Sequence, residues 1–346
     1  MKHSFGSDNH SGVHPLVMEA IVRENTDFKI SYGQDSYTQS ILNKLEELLG
    51  GNCKALFVLN GTGANVVAIA PFVRSFNAII AATTAHINVD ECAAPDKLTG
   101  AKIITLPHKD GKVSVDIVKQ ALIGFGDQHH AQPKILSISQ PTELGTLYTP
   151  EEIKQLADLM HANNCYLHVD GSRISNAAAS LNMPIKSFTA DCSIDSLSFG
   201  GTKNGLMIGE AVVIFNAQHK NREYSEILQY VRKQSAQLYS KNRFIAAQFE
   251  AYLKDDLYLQ MASSSNAMAK YLAGQLQQFP FIKVSRPVES NAVFAILDPA
   301  LTAKLQEKYY FYVWDEFTGE VRWMCSFNTQ KEDIDEFIGY IKKVTE

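Results

Sequence analysis

The chain has 346 residues, 45% apolar and 20% charged, which is ample for a packed core and excludes a disordered polymer. Its 32 Lys and Arg against 37 Asp and Glu leave a net charge of −5, which argues against a general nucleic-acid or anionic-membrane binder. At ~100–200 residues per domain, the length suits two domains or one large α/β domain with an appendage.

In chain order, residues 1–12 are polar without an apolar h-region, so no secretion signal is read and a cytoplasmic protein is expected. A helix over 40–49 ends at Gly50-Gly51, and a strand over 55–59 runs into a glycine turn and an apolar helix over 66–73. Strands follow over 78–82, 102–106 and 134–139. Thr149-Pro150-Glu151-Glu152 is a capping box with Pro at the first helical position, and Ile153, Leu156, Ala157 and Met160 give the helix its apolar stripe. Further strands are predicted over 165–169, 193–198 and 211–215, so the alternation reads as a parallel sheet covered on both faces. No apolar run approaches the ~18 residues a membrane span requires.

Beyond about residue 217 the pattern changes to a helical tract over 218–278, then strands near 281–285, 291–297, 310–313 and 320–324. A last helix is predicted with Thr329 and Glu332 as its capping box and Ile334, Phe337, Ile338 and Ile341 as its buried stripe. The expected division is 1–245 for an N-terminal segment and large domain, and 246–346 for a small C-terminal α+β domain. The five cysteines have no CxxC spacing and read as reduced thiols, with Cys53 and Cys165 as buried small residues. No tight ligand pair suggests a metal, and His129-His130 read as a solvated loop.

Three features carry chemistry. Asn60-Gly61-Thr62-Gly63-Ala64-Asn65 joins a strand to a helix, where backbone N–H groups can converge on one phosphate; the alternative is a turn that needs glycine for backbone reasons alone. It lacks the Lys-Ser/Thr of a P-loop and the third glycine of a dinucleotide fingerprint. His168-Val169-Asp170-Gly171-Ser172-Arg173 puts a carboxylate at a strand's carboxyl end, with Arg173 as a possible ion-pair partner. Gly200-Gly201-Thr202-Lys203-Asn204-Gly205 puts a lysine among glycines, where partial desolvation would free its amine for a Schiff base. An anion cradle, a carboxylate and a lysine are together what pyridoxal phosphate requires.

In that order along one α/β domain, the three resemble fold-type I pyridoxal-phosphate enzymes, and within them the threonine aldolase and aromatic amino acid β-eliminating lyase family. The resemblance runs from Ser7 to the last helix, through Ser7-Asp8-Asn9, Tyr32-Gly33-Gln34-Asp35, Gly61-Thr62-Gly63-Ala64-Asn65, Ala85-His86-Ile87, the segments around Asp170 and Lys203, and Val321-Arg322. It implies a transferase-like, mostly parallel seven-stranded sheet domain with a small C-terminal α+β domain. It also implies pyridoxal 5'-phosphate as cofactor, bound covalently by Lys203, paired at its ring nitrogen by Asp170, held at its phosphate by Gly61 and Thr62, and stacked upon by His86. Ser7, Arg173 and Arg322 would hold the substrate α-carboxylate, Arg173 also bordering the cofactor. The implied reaction is retro-aldol cleavage of L-threonine, L-allo-threonine or relatives such as phenylserine to glycine and an aldehyde, in threonine catabolism and glycine biosynthesis.

The family's Glu-Asn-Thr-His segment reads Gln140-Pro141-Thr142-Glu143 here. Glu143 therefore stands at a histidine's place as a candidate base beside His86, with altered preference for the β-substituent. The alternatives are a β-eliminating lyase that releases pyruvate and ammonia, and a pyridoxal-phosphate-binding protein without activity. The only partner expected besides the substrate is a further copy of the chain, in a dimer or homotetramer with sites at subunit interfaces. Tyr32 and Tyr37 are candidates to reach a neighbouring site, and one cation among Arg232, Lys233, Lys241 and Arg243 is expected near the phosphate.

Overall fold

Continuous runs of small and β-branched residues build the larger of two sheets. The computed structural model describes residues 4–346. Its strands are β1 (Cys53–Val58), β2 (Asn77–Ala82), β3 (Lys102–Leu106), β4 (Gln132–Ser139), β5 (Tyr166–Gly171), β6 (Ser196–Phe199) and β7 (Glu210–Phe215). They lie in the order β1-β7-β6-β5-β4-β2-β3, with parallel pairing from β3 through β6 and β7 antiparallel to both its neighbours. Every residue of β2 and β7 is buried, as expected of strands covered on two faces. The register Ser139↔Asp170↔Ser198 aligns the carboxyl ends of β4, β5 and β6, and the cleft opens there.

Several boundaries moved for local reasons. The helix predicted over 40–49 begins at Ser36, because the Asp35 side chain accepts from the Thr38 N–H and hydroxyl. The helix predicted over 66–73 is Gly61–Ile69 with a 3₁₀ turn after it, so the glycine segment is itself the first turn, capped by Asn60. Strand β6 starts three residues late, since Ser193 closes a 3₁₀ turn at φ 64°. The tract over 218–278 is three helices, Arg222–Gln234, Arg243–Leu253 and Leu257–Leu276, interrupted where Ala236, Asp255 and Asp256 take left-handed φ. The last helix, Lys331–Thr345, has its capping box on Gln330 and Asp333, one residue beyond the expected pair; Thr329 Oγ1 instead accepts from the Ser326 N–H.

The second sheet is antiparallel, in the order β10-β11-β9-β8, from β8 (Lys283–Val284), β9 (Ala292–Ile296), β10 (Tyr312–Asp315) and β11 (Glu320–Met324). Its core holds Trp323, Phe294's neighbours Val293 and Ala295, Tyr309 and Phe337. The helix Leu257–Leu276 belongs to both cores: Leu257, Tyr258 and Met261 pack into the larger, and Ala269, Leu272 and Leu276 into the smaller. The helix Arg243–Leu253 packs wholly into the larger core through Ile245, Ala246, Phe249 and Tyr252. At the other end of the chain, Phe5 enters the smaller core; its N–H bonds Tyr310 and its carbonyl accepts from Met324. That anchorage carries residues 6–8 over the cleft. Cys53 and Cys165 are buried and all five thiols are free.

Leu197, fully buried in β6, and Phe317, fully exposed, provide a contrast. Leu197→Ala should cost about 2–5 kcal/mol in denaturant unfolding and Phe317→Ala no more than about 0.5 kcal/mol.

Candidate active site

Asp170 is the penultimate residue of β5, with 5% of its surface exposed. Oδ1 accepts from the Ser172 N–H at 2.9 Å and its hydroxyl at 2.6 Å, and Oδ2 accepts from Asn65 Nδ2 at 2.8 Å. Burial opposes the charge, yet Lys203, these donors and His86 outweigh it and draw the carboxyl down to about 2. Oδ1 takes two donors and Oδ2 one, so Oδ2 keeps an acceptor position beyond the Asn65 amide.

Lys203 lies in the tight turn Thr202–Asn204, closed by Gly205 at φ 90°. The turn is pressed against the loop after β5, and a Cβ on Gly200 would lie 2.1 Å from the Ser172 carbonyl oxygen, so only glycine fits. Glu210 binds the Gly201 N–H at 2.5 Å, and Asn204 donates to Tyr252 and to the Tyr258 carbonyl. The Lys203 amine has no hydrogen-bond partner among the described residues. Burial, then Arg173, lowers its proton affinity, with Asp8 and Asp170 opposing.

At the N-terminus of the helix Gly61–Ile69, Asn60 Oδ1 takes the Gly63 N–H and leaves those of Gly61 and Thr62 open. Gln237 crosses so closely that a Cβ on Gly63 would meet it at 2.1 Å. His86 opens the short helix His86–Val89 across the cleft, its Nδ1 2.7 Å from Glu91 Oε1. Glu143 Oε1 accepts from the His86 N–H at 2.9 Å and from Ser139 Oγ at 2.5 Å; burial raises its proton affinity despite both donors.

Arg173 is paired with Asp8, not with Asp170: Nε reaches Oδ2 at 2.5 Å and Nη2 reaches Oδ1 at 2.9 Å. Asn291 also donates to Asp8, and Arg173 holds the Asp8 carboxyl below its ordinary value against burial. Arg322 approaches from the smaller sheet, donating to the Gly6 carbonyl at 3.2 Å and lying over Trp314 at 4.9 Å. Burial, then Arg173, brings its guanidinium down to about 10, with Asp8 opposing. Ser7, between Gly6 and Asp8, caps the 3₁₀ turn Asp8–His10 at the same edge. Asp8, Asn65 and Glu91 were given no role by the sequence; Asp8 and Asn65 at least stood in matching motifs, whereas Glu91 had no signal.

Other candidates lie apart. Tyr37 donates to Glu250, Tyr32 lies under Lys233, and Arg243 binds the carbonyls of Thr26 and Asp27. Arg232 is buried and donates to the Phe57 carbonyl in β1, just before the glycine turn. The one close grouping of metal-type ligands among the described residues is His86, Glu91 and Asp170, whose carboxylates are bridged by the Asn65 amide.

These residues suit pyridoxal phosphate: open N–H groups at one end, an ionised carboxylate with a free acceptor position at the other, and an unpartnered amine between. A family model described as beta-eliminating lyase matches residues 4–300. The low specificity L-threonine aldolase of Pseudomonas aeruginosa is 35% identical over 344 residues, covering 98% of this chain and 97% of that protein. Its counterpart in Pseudomonas sp. is 34% identical over 342 residues, covering 98% and 97%. The structure of Leishmania major threonine aldolase superposes with a TM-score of 0.92 at 29% identity, covering 99% of this chain and 100% of that one. Alanine–glyoxylate aminotransferase of Nostoc sp., at 15% identity and a TM-score of 0.68 over 100% and 96%, shares the fold alone.

Because the Asp170 carboxyl falls from 3.8 to about 2 on folding, its stabilisation is present above the unfolded value and is lost as pH falls through the folded one. The cofactor-free protein should lose about 2 kcal/mol more than Asp170→Asn between pH 5 and pH 2, measured by urea unfolding.

Proposed function

The chain belongs to the β-eliminating lyase family, and from that footing we propose that this cleft cleaves L-threonine, L-allo-threonine and related β-hydroxy-α-amino acids, phenylserine among them, to glycine and an aldehyde. The observation that carries the reading is the convergence of Lys203, the ionised Asp170 and the two arginines on one cleft. Pyridoxal phosphate, when bound, supplies an electron-withdrawing conjugated ring for the bond that breaks at Cα.

The chain's own residues supply the rest. Asp170 Oδ2 would accept the ring-nitrogen proton, the open N–H groups of Gly61 and Thr62 would hold the phosphate, and the Lys203 amine would hold the cofactor through its aldehyde. The Asp8 carboxylate binds one edge of Arg173 and presents the remaining N–H groups to the substrate carboxylate, with Arg322 and Ser7 beside it. Fixing the carboxylate fixes which bond at Cα stands perpendicular to the ring.

The base is assigned to Glu143. Its Oε1 is committed to the His86 N–H and Ser139, and its other oxygen is not engaged by either. Burial raises its proton affinity above that of an ordinary carboxylate, which suits a group that must take the β-hydroxyl proton. The Cα–Cβ pair then stays on Cα, the aldehyde departs, and a proton delivered to Cα completes glycine. His86, whose Nδ1 is held by Glu91, keeps the stacking role.

The same reading has the enzyme acting in the cytoplasm, in threonine catabolism and glycine formation, as a dimer or tetramer with sites at subunit interfaces. Supporting it, no described helix is long and apolar enough to cross a membrane, and Phe28 and Ile30 are exposed on one short segment beside Tyr32.

Purified enzyme should absorb at about 420 nm, the region of a protonated conjugated Schiff base, and Lys203→Ala should abolish both the band and borohydride-trapped cofactor. An unchanged band in that variant contradicts the assignment. Glu143→Ala should lower kcat by about 10²-fold or more, remove the acid limb of its pH profile, and alter the threonine to allo-threonine ratio. Unchanged turnover and ratio would remove Glu143 from the mechanism.

A further inference from the structure

One buried chain of hydrogen bonds joins two parts of the cleft that the reaction as described uses separately. Asn65 sits in the first turn of its helix, 1% exposed, and its single amide nitrogen donates to two carboxylates: Asp170 Oδ2 at 2.8 Å and Glu91 Oε1 at 2.7 Å. The same Glu91 oxygen lies 2.7 Å from His86 Nδ1. A carboxylate only accepts, so Nδ1 carries the hydrogen and Nε2 points away from the pair. Glu91 is 4% exposed, and its second oxygen is buried without a partner, so its charge is directed at His86 and Asn65 alone. Cys92 and Ala93, which follow it, take left-handed φ of 49° and 57°, and the Glu91 carboxylate meets the imidazole at its Nδ1 edge.

We propose that Glu91 is a positioning residue for the stacking histidine: it fixes the tautomer and ring plane of His86 through Nδ1, sets a carboxylate against the ring edge, and is itself tied through Asn65 to the carboxylate that would serve the cofactor nitrogen. The inference rests on the reading of the cleft given above. The groups that face the imidazole are Glu91 on its own turn, Asp170 at the end of β5, Lys203 on the turn after β6, and Glu143 at its backbone N–H. Glu91 and Asp170 favour the proton, whereas Lys203 and burial oppose it. A cation stacked on the ring would favour electron density moving into it. A neutral imidazole would not, and would also compete with Glu143 for the hydroxyl proton.

The test is ring-labelled histidine NMR on the full-length holoenzyme, with His86→Gln to assign the resonance. In the wild-type enzyme His86 should titrate above the ordinary histidine value of about 6.5. In Glu91→Gln, which keeps shape and an acceptor but loses the charge, its proton affinity should fall about tenfold or more. Activity should follow with kcat down about tenfold and KM within about twofold, since truncating the charge touches no substrate group. Should Glu91→Gln fail to fold, the wild-type titration still decides, because a value below the ordinary one overturns the proposal. An unmoved His86 titration in a folded Glu91→Gln overturns it as well, even if activity drops. A failure of the functional reading is distinguishable: the holoenzyme would then release no glycine or aldehyde from threonine while the His86 titration behaved as stated.

Discussion

A carboxylate 5% exposed at the end of a central strand must be kept ionised to be of use, and much of the cleft follows from how that is done for Asp170. Desolvation alone would protonate it. Three hydrogen bonds, two from Ser172 and one from Asn65, hold the charge, with Lys203 adding attraction from across the cleft. Each donor depends on a neighbouring element. Ser172 is fixed by the loop that Gly200 lets the next strand's turn approach, and Asn65 by the helix whose first turn is the glycine segment. The open N–H groups of Gly61 and Thr62 and one donor to Asp170 thus come from the same helix.

The smaller domain completes the other half. Phe5, buried in its core, and the hydrogen bonds of the Phe5 backbone to Tyr310 and Met324 bring Asp8 onto Arg173. The guanidinium of Arg322 comes from β11 of the same sheet and bonds the Gly6 carbonyl. Burial and, after it, repulsion from Arg173 lower the proton affinity of Arg322, and the Asp8 carboxylate opposes this at Arg322 as well as at its own partner Arg173. A substrate carboxylate meeting both, as proposed, would relieve that repulsion with charge already arranged in the protein.

Much of this was legible in the chain because it is local. Strand-end motifs at Asp170 and Lys203, the glycine turn, and the capping box at Thr149 each lie within a few residues. What the sequence left open depends on distance along the chain or on backbone turns. Arg173 finds Asp8 rather than Asp170 because an N-terminal segment crosses the cleft, a contact 165 residues apart. Glu91 gave no periodic or motif signal, since its role comes from left-handed residues just after it. The single tract over 218–278 concealed breaks at Ala236, Asp255 and Asp256, none of them Gly or Pro, where tertiary packing outweighs local preference.

The central claim is that this cleft breaks the Cα–Cβ bond of a β-hydroxy amino acid rather than eliminating its β-substituent. Product analysis of the pure holoenzyme with L-allo-threonine and L-threonine tests it most directly. The account predicts glycine and acetaldehyde in equal amounts. Ammonia with a 2-oxo acid, and no glycine, would contradict it.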